Sequence, residues 1–89
     1  MAKPFSFITL SRFRQDMYAI DARRRALMQS ARALLRVDPL RALAVFPVYV
    51  DDSEGFDLYV LVFPEARGEL IYEVDEVERV VVLREVFWR

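Results

Sequence analysis

The chain has 89 residues, 55% of them hydrophobic, with thirteen basic and fourteen acidic side chains and a net charge of −1. It contains neither cysteine nor histidine, which excludes disulfides, thiolate metal sites and any imidazole ligand or neutral-pH base. This length predicts one domain over residues 1–89 that buries roughly 60 to 65% of its extended surface. With no apolar run of membrane length and no signal-peptide pattern, a cytoplasmic protein is expected.

The small net charge conceals a polarity. Residues 1–46 carry nine Lys or Arg against three Asp, and residues 47–89 carry four Arg against eleven Asp or Glu. That asymmetry fits two kinds of partner, self-association of opposite patches, or two merely solvated faces.

In chain order, Phe5 to Thr9 reads as a first strand at or near a sheet edge, because Pro4 cannot donate to a ladder. Ser11 is placed to cap a helix in which Phe13, Met17 and Ile20 share a face, and Asp21 to cap the next. The second helix runs from about Ala22 to Arg36. Leu27, Ala31, Leu34 and Leu35 form its apolar stripe, with Arg25, Gln29, Arg32 and Arg36 nearly opposite. Pro39 ends it. Val45 to Val50 resumes strand chemistry, with Pro47 favouring an edge or a bulge. Asp51 to Gly55 is a turn, Phe56 to Phe63 a strand, and Pro64 to Gly68 another turn.

The last third holds two strands, Leu70 to Val74 and Val80 to Trp88, joined by an acidic turn. Val80 to Leu83 is apolar on both faces and therefore needs cover on both sides or a central position in the sheet. The terminal strand is expected to supply Val80, Val82, Val86 and Phe87 to the core. The architecture read from these elements is α+β, β-α-α-β-β-β-β, an antiparallel meander with an N-terminal strand and a helical hairpin on one face.

Few motifs carry chemistry. With Gly55 and Gly68 as its only glycines, the chain has no phosphate-cradling loop. The acidic cluster Asp51, Asp52 and Glu54 lacks calcium-loop spacing and reads as a solvated turn, so no metal or cofactor is assigned. Glu69 and Glu73 share an exposed strand face, and Tyr72 alternates inward with Leu70 and Val74. The arginine stripe of Arg25, Arg32 and Arg36, joined by Arg23 and Arg24, offers guanidinium groups to nucleic-acid phosphates or to an acidic partner, or is simply solvated.

The first strand, the hairpin ending in Asp38-Pro39-Leu40, and Leu70-Ile71-Tyr72-Glu73-Val74 followed by Val80-Val81-Val82-Leu83 and Arg89 resemble the RelE/ParE superfamily of bacterial toxin-antitoxin toxins. The resemblance covers nearly the whole chain. It implies a compact sheet with two helices on one face, an antitoxin partner, and action on ribosome-bound mRNA or on gyrase. By the same resemblance, Arg89, Tyr72 and Arg67 are the candidate catalytic residues of a ribosome-dependent endoribonuclease.

The chain departs from that pattern at two positions. Glu69 stands where ribosome-dependent members usually have an arginine, and Trp88 where they have a histidine or another base. The first reading is thus a toxin component with degenerate nuclease residues. The alternative is a catalytically inert relative serving protein association as a homodimer.

Overall fold

The computed structural model describes residues 3–40, 48–51 and 58–89. Its elements are β1 (Ser6–Thr9), α1 (Ser11–Asp16), α2 (Ala22–Val37), β2 (Val48–Asp51), β3 (Leu58–Phe63), a single 3-10 turn (Pro64–Ala66), β4 (Gly68–Asp75) and β5 (Val80–Trp88). The five strands form one sheet in the order β1-β5-β4-β3-β2. From β2 to β5 each strand is antiparallel to the next, whereas β1 joins the far edge parallel to β5. The α+β order read from the sequence is therefore the observed one. The parts of it that fall on residues 45–47 and 52–57 lie outside the described residues.

Parallel pairing of β1 with β5 requires a long crossover, and everything between them in the chain supplies it. β5 takes an interior position, between β1 and β4, in keeping with its doubly apolar sequence. Its pairing with β4 is interrupted once, because Ile71 pairs with Glu85 while Tyr72 pairs with Leu83, leaving Arg84 as an extra, bulged residue. The bulge changes which side chains face inward. Val81 and Leu83 point at the helices before it, and Val86 does so after it; all three are buried. Phe87 is 39% exposed.

The expected contribution of Val80, Val82 and Phe87 to the core is accordingly corrected to Val81, Leu83, Val86 and Trp88. Strict alternation from Leu83 would have turned Glu85 inward, and one extra residue avoids that burial of charge. Arg84 itself points to the other face and pairs with Glu73 at 2.7 Å.

The core lies between the sheet and α2. Met28, Ala31 and Leu35 are its fully buried helical residues, packed with Phe13, Leu61, Phe63, Leu70 and Tyr72. Met28 replaces Leu27 and Leu34 at the centre of the stripe, and those two are only half-buried. Asp21 caps α2 as expected, its carboxylate accepting the Arg24 N–H at 2.8 Å. Ser11 does not cap α1, because Leu10 occupies that position and offers no side-chain acceptor.

α1 instead anchors the exposed edge of β5 beyond its pairing with β1. The Leu10 N–H donates to the Leu83 carbonyl at 3.0 Å, and Asp16 accepts the Val86 N–H at 3.1 Å. A chain ending at Glu85 loses Val86 and Trp88 from the core, at roughly 1.5 to 3 kcal/mol for each buried apolar side chain. It also strands Asp16 without its backbone donor. Thermal denaturation followed by circular dichroism should show no cooperative transition for that truncation, and a midpoint near the full-length value would show the terminal strand to be peripheral.

Candidate functional site

Where β3 ends and β4 begins, Pro64 opens the 3-10 turn and Arg67 closes it in the left-handed conformation, at φ 53° and ψ 47°. That backbone conformation costs a non-glycine residue about 1 to 2 kcal/mol. Two hydrogen bonds hold it, from the Arg67 N–H to the Pro64 carbonyl at 3.3 Å and from the Arg89 N–H to the Arg67 carbonyl at 2.7 Å. Gly68 follows for a different reason. A Cβ there would strike the Trp88 ring, which packs flat over the glycine and stacks on Phe63 at 5.6 Å.

These contacts bring Arg67 and Arg89 side by side. They line a cleft of about 310 Å³ with Val62, Phe63, Pro64, Gly68 and Glu69. A neighbouring hollow of about 200 Å³ shares both arginines and adds Asp21, Arg23, Arg24, Glu65 and Ala66 from the start of α2 and the 3-10 turn. Arg24 lies over the Trp88 ring at 5.2 Å, a cation–π contact at the rim.

Arg23 reaches Glu65 at 3.7 Å and Arg89 reaches Glu69 at 3.2 Å, both as largely exposed pairs. Arg67 has no acidic partner among the described residues. Exposed pairs of this kind are worth at most about 1 kcal/mol, so an incoming phosphate competes readily for the same guanidinium groups.

The sequence-predicted site residues thus divide. Arg67 and Arg89 line one cleft, and Arg23 and Arg24 share a hollow with them instead of continuing a helix stripe. Arg32 and Arg36 lie over the Phe7 ring at 5.0 and 5.4 Å, and Arg25 and Arg32 border a separate hollow. Tyr72 belongs to neither group. Its ring is fully buried and stacks on Tyr59 at 5.4 Å, and its hydroxyl donates to the Pro39 carbonyl at 2.9 Å.

Burial, with Tyr59 beside it, raises the Tyr72 phenol well above its ordinary pKa. It is placed to fasten the end of α2 to the sheet and is out of reach of the cleft. The convergence of Arg23 and Arg24 on Arg67 and Arg89 had no signal in local spacing, since it follows from how α2 docks across the sheet. Among the described residues no group of His, Cys, Asp or Glu is arranged to hold a metal ion, and no helix is long and apolar enough to cross a membrane.

No protein-family model matches the chain, and no curated protein sequence matches it significantly. Solved structures do. The chain is similar to one in the archaeal RelE-RelB complex from Pyrococcus horikoshii OT3, at a TM-score of 0.77 and 17% identity over 96% of this chain and 94% of that one. It is also similar to one in the toxin-antitoxin complex RelBE2 from Mycobacterium tuberculosis, at a TM-score of 0.72 and 22% identity over 97% and 99% of the two chains. The fold is RelE-like.

Within this RelE-like fold the arginine cleft opens beside the first residues of β4 and the last of β5. Glu69 sits inside it, engaged with Arg89.

Replacing Tyr72 with Phe leaves the Pro39 carbonyl without its donor and should cost about 1 to 3 kcal/mol in urea unfolding. The sign of the pH dependence follows from the raised folded pKa. The unfolded chain loses the phenol proton first, at about pH 10, so the contribution of Tyr72 is complete below that value and is lost as pH rises above it. That part of the alkaline fall in stability should be missing from Tyr72→Phe.

Proposed function

We propose that this chain is the toxin-type component of a toxin-antitoxin pair, held by an antitoxin, and that it engages RNA phosphates of the translation machinery without cutting RNA efficiently. One observation carries the reading. Arg23, Arg24, Arg67 and Arg89 converge on two adjoining hollows in a RelE-like fold, and the carboxylates that line them among the described residues are each engaged, Asp21 with the Arg24 N–H, Glu65 with Arg23 and Glu69 with Arg89. Guanidinium groups on several elements suit bidentate contacts with phosphate oxygens. Cleavage through a 2'-hydroxyl requires more than binding. A positioned acid or base typically contributes 10²- to 10⁴-fold, and loss of one donor to the developing charge costs about 2.7 to 4 kcal/mol.

Here the chain has no histidine, the Tyr72 hydroxyl is committed to Pro39, and Glu69 draws on Arg89. The nuclease chemistry that the resemblance implied is therefore read as degenerate, and binding as what remains.

Controlled expression in a bacterial host should slow growth, and co-expression of a cognate antitoxin should relieve the effect. In a translating extract the purified protein should bind ribosomes or RNA in a salt-dependent way. The Arg67→Ala/Arg89→Ala variant should lower the log-log salt slope by about 0.7 for each phosphate it no longer neutralises. Mapped mRNA ends should show little or no cutting at the ribosomal A site. Efficient cutting abolished by Arg89→Ala would contradict the binding-only reading, and loss of DNA supercoiling with translation intact would move the target to gyrase.

A further inference from the structure

The described large apolar side chains most open to water are Tyr18 and Val77, each 89% exposed. They lie in two patches of opposite charge. Tyr18 borders a hollow of about 530 Å³ floored by Phe13 and Met17 and rimmed by Arg14, Arg25 and Arg32. Among the described residues no carboxylate lines it. Among the described residues the Arg14 guanidinium reaches the Ser11 hydroxyl at 3.4 Å, the Arg25 guanidinium the Ile20 carbonyl at 3.5 Å, and Arg32 lies over the Phe7 ring. Among the described residues none of the three has an acidic partner.

Val77 stands at the tip of the β4–β5 hairpin between Glu76 and Glu78, all three exposed. Neither glutamate has a basic partner among the described residues. The tip is held firmly. The Asp75 carboxylate accepts the N–H groups of Val77 and Glu78 at 3.1 and 3.0 Å, and the Arg79 guanidinium donates twice to the Lys3 carbonyl at 2.6 and 3.1 Å. Little ordering entropy is then lost when it docks.

We propose that the hairpin tip of one chain docks into this arginine-rimmed hollow on a second copy. Val77 packs against Phe13, Met17 and Tyr18, while Glu76 and Glu78 meet the unpaired guanidinium groups. Nucleic acid would satisfy the arginines but would leave the acidic, apolar-tipped hairpin unexplained, whereas a second copy accounts for both patches through one contact. Every chain carries both halves, so a two-fold arrangement lets two copies exchange them reciprocally and close as a dimer. The apolar contact is small and the rim charged, which makes the association salt-sensitive.

Sedimentation of the full chain at low and high salt tests this independently of any toxin activity. The protein should dimerise at low salt and dissociate as salt rises. Glu76→Arg/Glu78→Arg and Arg14→Glu/Arg25→Glu should each weaken the dimer by about tenfold or more. Mixing the two variants should restore it, since each tip then faces a hollow of opposite charge. Circular dichroism checks that both remain folded, and Glu76→Gln/Glu78→Gln replaces a variant that does not, with weakened association again expected. A parent chain that stays monomeric at high micromolar concentration in low salt would overturn the proposal. So would substitutions that leave association unchanged, or variants that fail to associate when mixed.

Discussion

The extra residue in β5 is the constraint on which the rest of the structure depends. β5 must bury apolar side chains against the helices along its whole length, but its sequence runs Val81, Leu83, Glu85 and Phe87 on one parity and Val80, Val82, Arg84, Val86 and Trp88 on the other. Neither parity is clean. Bulging Arg84 out of register joins the first half of one to the second half of the other, so that Val81, Leu83, Val86 and Trp88 all face the helix-covered core. The charged residues around the switch then sit on the opposite face, where Arg84 pairs with Glu73. Asp16 of α1 takes up the Val86 N–H just past the bulge.

The candidate site inherits its geometry from that switch. With Trp88 inside, its ring lies over Gly68 and against Phe63, and it gives Arg24 a face to rest on. Its indole N–H is buried with no acceptor among the described residues, a cost of about 1 to 3 kcal/mol that the stacking must offset. The next residue, Arg89, is carried to the Arg67 carbonyl. A bulge in the middle of a strand thus determines which guanidinium groups meet at its end, and the two patches of the proposed dimer contact lie at the hairpin tip and in the α1–α2 region, clear of it.

Much of the fold was legible in the sequence because it rests on local signals. Asp21 as a cap, Pro39 as a stop, and the doubly apolar Val80 to Leu83 as an interior strand are each determined by chemistry within a few residues. The facing of β5 after Leu83 was not legible, since a bulge is a compromise between a strand and its neighbour and leaves no mark in the strand alone. Ser11 misled for a related reason, as the chain enters α1 directly from β1 and Leu10 takes the cap position. For the site, Arg67 and Arg89 were linked only through the resemblance, and the convergence of Arg23 and Arg24 depends on helix docking. Tyr72 was correctly read as inward-facing from its alternation with Leu70, and that same burial separates it from the arginines.

Because Trp88 is the only tryptophan, its fluorescence reports directly on the facing of β5. The measurement that tests the account is the emission maximum of two single-residue deletions. Removing Arg84 takes out the bulged residue and leaves Glu85, Val86, Phe87 and Trp88 paired as before, so the emission should stay at the parent wavelength. Removing Phe87 turns Trp88 to the outer face and should shift the emission to the red. A red shift on deleting Arg84, or parent-like emission on deleting Phe87, would contradict the claim that this bulge sets the inward face of the strand.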